Sequence, residues 1–223
     1  MSLRLAASHI SKGYNGTPVL RDCSFSFDRS GIYALMGPNG CGKSTFLRIC
    51  ALLEEPDAGE ISYLSEGHPE KKDIHLRRRL TLVLPRVGVF NTSVFRNVAY
   101  GLTIRGIKGK EGEGRVIKAL EFVGLDQKSD QNAFTLSSGE TQRLGIARAM
   151  VIEPEILFLD EPTASVDRKN TGIIEDIILR MKKGGRSTVI ITTHDRAQAE
   201  KLADFLLVMK EGKISVEKSP LSF

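Results

Sequence analysis

The chain has 223 residues, 41% hydrophobic and 26% charged, with 21 Gly and no Trp; that is the length of one globular domain, or of one domain with a small insertion. These fractions exclude wholesale disorder, collagen-like repeats and a pure coiled coil. Lys and Arg (32) exceed Asp and Glu (27) by five, too mild an excess to choose among nucleic acid, anionic lipid and phosphate ligands.

Taken in chain order, Leu3 to Asp28 reads as short strands broken by a turn-rich segment, Lys12–Pro18, and Ser24–Asp28 alternates with the period of a half-buried strand. Ile32–Met36 is a continuous apolar run. It enters Gly37–Thr45 (GPNGCGKST) and continues into a helical stretch over Phe46–Leu53. Glu54–Gly59 is a turn cluster, and Ile61–Leu64 and Leu80–Leu84 read as strands around a charged connection. From Asn91 to about Ile152 helical patterns take over, at Val116–Val123 and Glu140–Val151, with a loop rich in Asp, Gln and Ser between them. This segment is predicted as a helical insertion into an α/β body. The body resumes with the strand Glu155–Asp160, a helix over Arg168–Lys183, a Gly184–Gly185 turn and the strand Thr188–Thr192. A short helix, the strand Phe205–Met209, a turn at Glu211–Gly212 and the strand Lys213–Glu217 complete it. Strands alternating with helices predict a mostly parallel central sheet.

The apolar runs are the length of buried strands and fall short of the roughly 18 residues that a membrane-crossing helix needs. The first ten residues carry one Arg and no long apolar run, unlike a secretion signal. Cys23, Cys41 and Cys50 are odd in number and lack metal-ligand spacing, as expected of free thiols in a reducing compartment. A soluble cytoplasmic protein is expected, with any membrane part supplied by another chain.

Gly37–Ser44 matches G-x-x-x-x-G-K-[ST] in full, between an apolar strand and a helix. In such a loop Gly37, Pro38, Asn39, Gly40, Cys41 and Gly42 curl the backbone so that successive N–H groups face a phosphate. The helix N-terminus that follows, at Lys43, Ser44 and Thr45, adds partial positive charge. Lys43 reaches the β- and γ-phosphate oxygens, and Ser44 offers a hydroxyl to Mg²⁺. Downstream, the run Ile156–Leu159 ends in Asp160-Glu161-Pro162. An Asp at a strand's carboxyl end organises Mg²⁺, and Glu161 beside it can polarise a water for in-line attack on the γ-phosphate.

Leu136-Ser-Ser-Gly-Glu140, followed by TQRLGIARA, resembles the signature of the nucleotide-binding subunits of ATP-binding cassette (ABC) transporters, usually written LSGGQ. It departs from that pattern at Ser138 and Glu140. The resemblance covers nearly the whole chain. It implies a P-loop NTPase with a mostly parallel central sheet, an N-terminal antiparallel β subdomain and a helical insertion. Residues 1–223 would form one ATPase domain, with 1–90 and 153–223 as its core and about 91–152 as the signature subdomain. In the family Ser137, Ser138, Gly139 and Glu140 meet the γ-phosphate held by a second cassette, so a head-to-tail homodimer with two ATP is implied. Tyr14 is similar to the aromatic that stacks on adenine, Ser165–Asp167 to the loop between cassettes, and His194 to the switch histidine at the γ-phosphate. The implied partners are transmembrane permease subunits and a substrate-binding protein, with no nucleic acid. The implied location is the cytoplasmic, inner face of the cell membrane.

The segment Phe90–Leu102 is similar to that of importers of oxyanions such as tungstate or molybdate, which favours an importer of a small solute. The alternatives are an exporter cassette and a non-transport ABC ATPase acting on ribosomes or DNA. The latter usually carries tandem cassettes or coiled-coil arms, and the only basic run here is Arg77-Arg78-Arg79. At 223 residues the cassette is expected to fill the chain, with no added regulatory domain. One expected residue is missing: aligned on the family pattern, Leu80–Asn97 places Pro85 where a Gln belongs. Retained but altered hydrolysis is expected, because Lys43, Asp160, Glu161 and His194 are all present. Cys41, inside the phosphate loop and near Lys43, is expected to be shielded from alkylation by bound nucleotide.

Overall fold

An 11-residue strand, β1 (Arg4–Tyr14), turns back at Asn15-Gly16 into β2 (Thr17–Phe27). The computed structural model describes residues 3–184 and 187–217. Asn15 and Gly16 have φ of 50° and 79°, the left-handed pair that a two-residue hairpin turn demands and that Asn-Gly adopts at low cost. The expected break over Lys12–Pro18 contains this turn, narrowed to Asn15-Gly16, with strand on either side. The strands are also irregular at His9 (φ 56°) and Asp22 (φ 53°), and the register shifts once more between Lys12 and Gly13. β4 (Ala58–Ser65) and the two-residue β5 (His68–Pro69) complete an antiparallel sheet in the order β2-β1-β4-β5.

The second sheet begins with β3 (Ile32–Met36), which leads through the glycine-rich loop into α1 (Lys43–Cys50). A four-residue α2 (Ile74–Arg77) precedes β6 (Leu80–Val83). Three helices then follow: α3 (Val94–Thr103), α4 (Gly109–Val123) and α5 (Ser138–Met150). The helical patterning read from the sequence omits α3, although its buried Val94, Val98 and Leu102 follow four-residue spacing and Ser93 caps it through Arg96 N–H. The chain returns as β7 (Ile156–Asp160), α6 (Arg168–Gly184), β8 (Thr188–Thr193), α7 (Arg196–Leu202), β9 (Phe205–Lys210) and β10 (Lys213–Val216). Of the expected Gly184–Gly185 turn, Gly185 lies outside the described residues.

The sheet order is β10-β9-β3-β8-β7-β6, parallel except for β10. Successive residues of its central strands enter two different cores, as the period of two requires. Ile32, Ala34, Leu157, Leu159, Val189 and Ile191 pack with helices α3 to α7. Tyr33, Leu35, Ile156, Phe158 and Ile190 pack with α1 and the antiparallel sheet. Both faces are covered, which is why these strands read as continuous apolar runs. Because β3, β8 and β7 are adjacent, parallel and in register, with Met36 beside Thr193 and Thr192 beside Asp160, their carboxyl ends open at one edge of the molecule. Ligands bind there in open α/β sheets.

Candidate active site

The phosphate loop is shaped by its glycines. Gly40 and Gly42 have φ of 80° and 108°, a region that side-chain-bearing residues rarely occupy. A Cβ on Gly37 would stand 2.5 Å from Met209 O and 2.7 Å from Cys41 Sγ, so the loop closes only without one. Pro38, Asn39 and Gly40 form an exposed crest, while Cys41 is half-buried with its thiol against Gly37. Gly42 caps α1 without a side-chain hydrogen bond, leaving the first N–H groups of that helix available to an anion.

Lys43, 4% exposed, folds back over this loop. Its Nζ donates to Gly37 O at 2.8 Å and Pro38 O at 3.2 Å, and stands 3.3 Å from Glu161 Oε1. The second carboxylate oxygen, Glu161 Oε2, is 3.4 Å from His194 Nδ1. Ser44 Oγ donates to Asp160 Oδ1 at 3.0 Å. Thr192, fully buried in β8, donates its hydroxyl to the same Oδ1 at 2.7 Å and accepts the Glu161 N–H at 2.9 Å. Glu161 itself has φ 42°. Lys43, Ser44, Asp160, Glu161 and His194, spread over 150 residues of sequence, thus form one connected cluster. Thr192 was not among the residues singled out from the sequence. Its only signal there is a hydroxyl directly after the apolar run Val189–Ile191.

The signature segment is built separately. Ser137 caps α5 by accepting the Glu140 N–H at 3.3 Å, and Glu140 Oε2 accepts the Ser137 N–H at 3.0 Å, a reciprocal capping box. Lys128 Nζ lies 2.6 Å from Glu140 Oε1. The hydrogen bond from Lys128, followed by those from Ser137, holds the Glu140 carboxyl below its ordinary pKa. Ser137 and Ser138 are exposed, whereas Gly139 is buried against Asn170 of α6. Asn170 Nδ2 donates at 2.7 Å to Asp167, whose other oxygen accepts the Lys169 and Asn170 N–H groups. Among the described residues no hydrogen bond joins this segment to the phosphate loop of the same chain.

Tyr14, 40% exposed, ends β1 with its hydroxyl donating to Glu54, which also accepts from Arg48 Nε of α1 at 3.1 Å. Its ring lies 5.9 Å from Lys12 Nζ. Pro85 follows β6 and makes no hydrogen bond into the cluster among the described residues. The segment on either side of it is held by α5: Gln142 Nε2 reaches Leu84 O at 3.5 Å, Arg148 donates to Gly88 O at 2.6 Å, and Val87 fills the space above Gly145. Between this segment, α3 and α5 lies a cavity of about 260 Å³ whose lining includes Arg86, Val87, Gly88, Tyr100 and Arg148.

A glycine-rich phosphate loop at the carboxyl edge of a parallel sheet, with an acidic pair on the next strand but one and a helical segment between, defines a nucleotide-binding P-loop protein. The chain belongs to the ABC transporter family, whose profile it matches over residues 20–164. It is 37% identical to the phosphate import ATP-binding protein PstB 2 of Natronomonas pharaonis, over 97% of this chain and 80% of that protein. It is 34% identical to the tungstate uptake system ATP-binding protein TupC of Peptoclostridium acidaminophilum, over 95% and 97% of the two chains. Among solved structures, CbiO1 of Clostridium perfringens, part of the ABC transporter complex CbiONQ, superposes with a TM-score of 0.86 at 30% identity, covering 99% of this chain and 90% of that one. The protein is accordingly an ATP-binding subunit whose ATPase activity energises a membrane transporter. No described helix is long and apolar enough to cross a membrane, and such subunits work with membrane permease components.

Proposed function

We propose that this chain is the ATPase of an importer for a small oxyanion, with Glu161 as general base, Lys43 and His194 as γ-phosphate contacts, and the phosphate loop as the nucleotide cradle. The convergence of Lys43, Ser44, Asp160 and His194 on one another and on Glu161 carries this reading. The Lys43 ammonium is already at the loop, held by two carbonyls and a carboxylate. Triphosphate oxygens replace those carbonyls with stronger, charge-assisted partners. Glu161 Oε1 then loses its share of Lys43 and is free to accept a proton from the attacking water, while His194 holds Oε2. Positioning and charge stabilisation supply most of the rate in phosphoryl transfer.

The donors at Ser44 Oγ and Asp160 Oδ1, all oxygen and 3.0 Å apart, suit Mg²⁺. That ion binds through one or two protein oxygens plus substrate phosphates rather than in an all-protein cage, and no three-ligand acidic or imidazole cluster exists among the described residues. When bound, Mg²⁺ supplies charge neutralisation at the β- and γ-phosphate oxygens. Tyr14 offers the exposed ring for adenine. Ser137 and Ser138 face outward at the N-terminus of α5, with Gly139 buried and Glu140 partly buried behind them, and a head-to-tail partner cassette would meet this end of the helix. The cavity lined by Tyr100 and Arg148 is the surface we assign to the permease, with the chain on the cytoplasmic side of a membrane. A substrate-binding protein and an oxyanion cargo are supported by the names of the phosphate and tungstate relatives.

The test is Glu161→Gln in the purified chain. Turnover falls by about 10²- to 10⁴-fold, the range for loss of a general base, while ATP binding is retained. A variant with full turnover refutes the assignment.

A further inference from the structure

We propose that Thr192 is a positioning residue for hydrolysis, its hydroxyl locking the acidic pair at the end of β7 into the geometry that the reaction needs. The inference rests on the reading of Glu161 as general base and deepens it.

Two observations carry it. The first is that the Thr192 hydroxyl is used in both directions. It donates to Asp160 Oδ1 at 2.7 Å and accepts the backbone N–H of Glu161 at 2.9 Å, so one oxygen ties the side chain of one acid to the main chain of the next. Thr192 is fully buried and lies directly beside Asp160 in the β7–β8 pairing. Its χ1 is stiff, and no water competes for either bond. The second observation is the conformation of Glu161. Its φ of 42° is unusual for a residue with a side chain, and such strain persists only where the surroundings over-determine it. The Thr192 bond to its N–H is one such restraint, and the Ala164 N–H bond to its carbonyl, at 3.1 Å, is another.

The arrangement has a consequence during binding. Asp160 Oδ1 accepts from both Ser44 and Thr192. Ser44 belongs to the phosphate loop and turns toward an incoming nucleotide, which removes one of these two hydroxyls. Thr192 belongs to the sheet and does not move with the loop. It therefore keeps the Asp160 carboxylate and the Glu161 turn in place at the moment the loop is recruited. A valine at this position would have the same shape and leave both the Asp160 oxygen and the Glu161 N–H short of a partner in a dry site.

The experiment compares Thr192→Val and Thr192→Ser in the full chain, measuring ATPase kcat and KM, binding of a fluorescent ATP analogue, and the unfolding midpoint. Loss of the lock is expected to lower kcat by about 10- to 100-fold, the scale on which small misplacements of reacting groups act. KM and analogue affinity shift by less than about 3-fold, since the cradle and Lys43 remain, and Thr192→Ser stays within about 3-fold of the parent kcat. In a Glu161→Gln background, Thr192→Val is expected to add no further loss, because the residue acts through Glu161. Unchanged kcat in Thr192→Val overturns the proposal, as does an equal loss in Thr192→Ser, which assigns the effect to packing. Parallel falls in binding and unfolding midpoint also overturn it, leaving a structural role only. If Glu161→Gln alone retains turnover, the general-base reading fails, an outcome separate from any result at Thr192.

Discussion

The buried start of α5 makes Gly139→Ala a sharp probe of how the signature segment is held. A methyl at this position would stand 2.6 Å from Asn170 Cβ and 2.8 Å from Asn170 Nδ2, with Cγ nearer still. Ordinary contact begins at 3.4 Å, so α5 and α6 must separate locally by about 0.8 Å to clear Asn170 Cβ, which side-chain rotation does not move, and Asn170 must also turn its Cγ and Nδ2 away. Turning away breaks its 2.7 Å bond to Asp167. Two effects oppose one another. Ala is favoured over Gly inside a helix by about 1 kcal/mol, and by less in the first turn, where fewer backbone bonds have formed. Overpacking a closed contact costs about 1–3 kcal/mol. Three atoms under 3 Å, one of them the Cβ fixed to the α6 backbone, put this site in the upper part of that range. The steric effect therefore wins by about 1–2 kcal/mol, a fall of about 2–8 °C in Tm for a domain of this size. Differential scanning fluorimetry of Gly139→Ala, Asn170→Gly and the double variant checks it. Asn170→Gly removes both clashing carbons while its backbone N–H still reaches Asp167, so Gly139→Ala is expected to cost nothing further in that background. An equal loss of stability with or without the Asn170 side chain refutes the steric argument, as does a single variant as stable as the parent.

Tyr14→Ala is expected to weaken ATP binding in titration calorimetry by about 5- to 150-fold, corresponding to about 1–3 kcal/mol for base–aromatic stacking. Tyr14→Phe keeps the ring, loses only the Glu54 bond, and is expected to bind within a few-fold of the parent; equal losses in both variants point to the hydroxyl. Glu140→Gln retains the capping box but removes a carboxylate held below its ordinary value of 4.5 by Lys128. A depressed pKa contributes stability that is complete above the unfolded value and is lost as pH falls through the folded one. The parent should therefore lose Tm more steeply than Glu140→Gln below about pH 4.5, and parallel curves would count against the Lys128 pairing. Pro85→Gln restores a side-chain oxygen after β6 and should raise the ATPase rate or leave it unchanged; a clear fall would show that the proline itself is required by the cassette.

Much of this site is legible in the chain because its chemistry is local. The loop Gly37–Ser44 carries its function in its own backbone: the glycines allow the curl, the lysine follows, and the helix starts where the loop ends. Asp160-Glu161 and His194 are visible as polar residues closing apolar runs, and the position of ligands at strand carboxyl ends is a general property of parallel sheets. The same locality makes Ser137 and Glu140 recognisable, since a capping box is completed within four residues. The hairpin is legible at its Asn15-Gly16 turn and less so along its strands. Its long strands carry polar residues at bulges such as His9 and Asp22, which disturb the alternation from which strands are recognised.

What tertiary structure alone decided is which of these groups touch. Strand order β3-β8-β7 inserts β8 between the phosphate loop and the acidic pair. This places Thr192 beside Asp160, a pairing that no spacing in the sequence encodes, because register between parallel strands is set by what packs on the two faces, helices on one and α1 with the antiparallel sheet on the other. The same is true of Gly139 and Asn170, which meet only because α5 and α6 share one side of the sheet. Short-range hydrogen bonding and backbone freedom are written residue by residue. Contacts across the sheet follow from how the whole apolar surface is buried, and they exist only once the chain has folded.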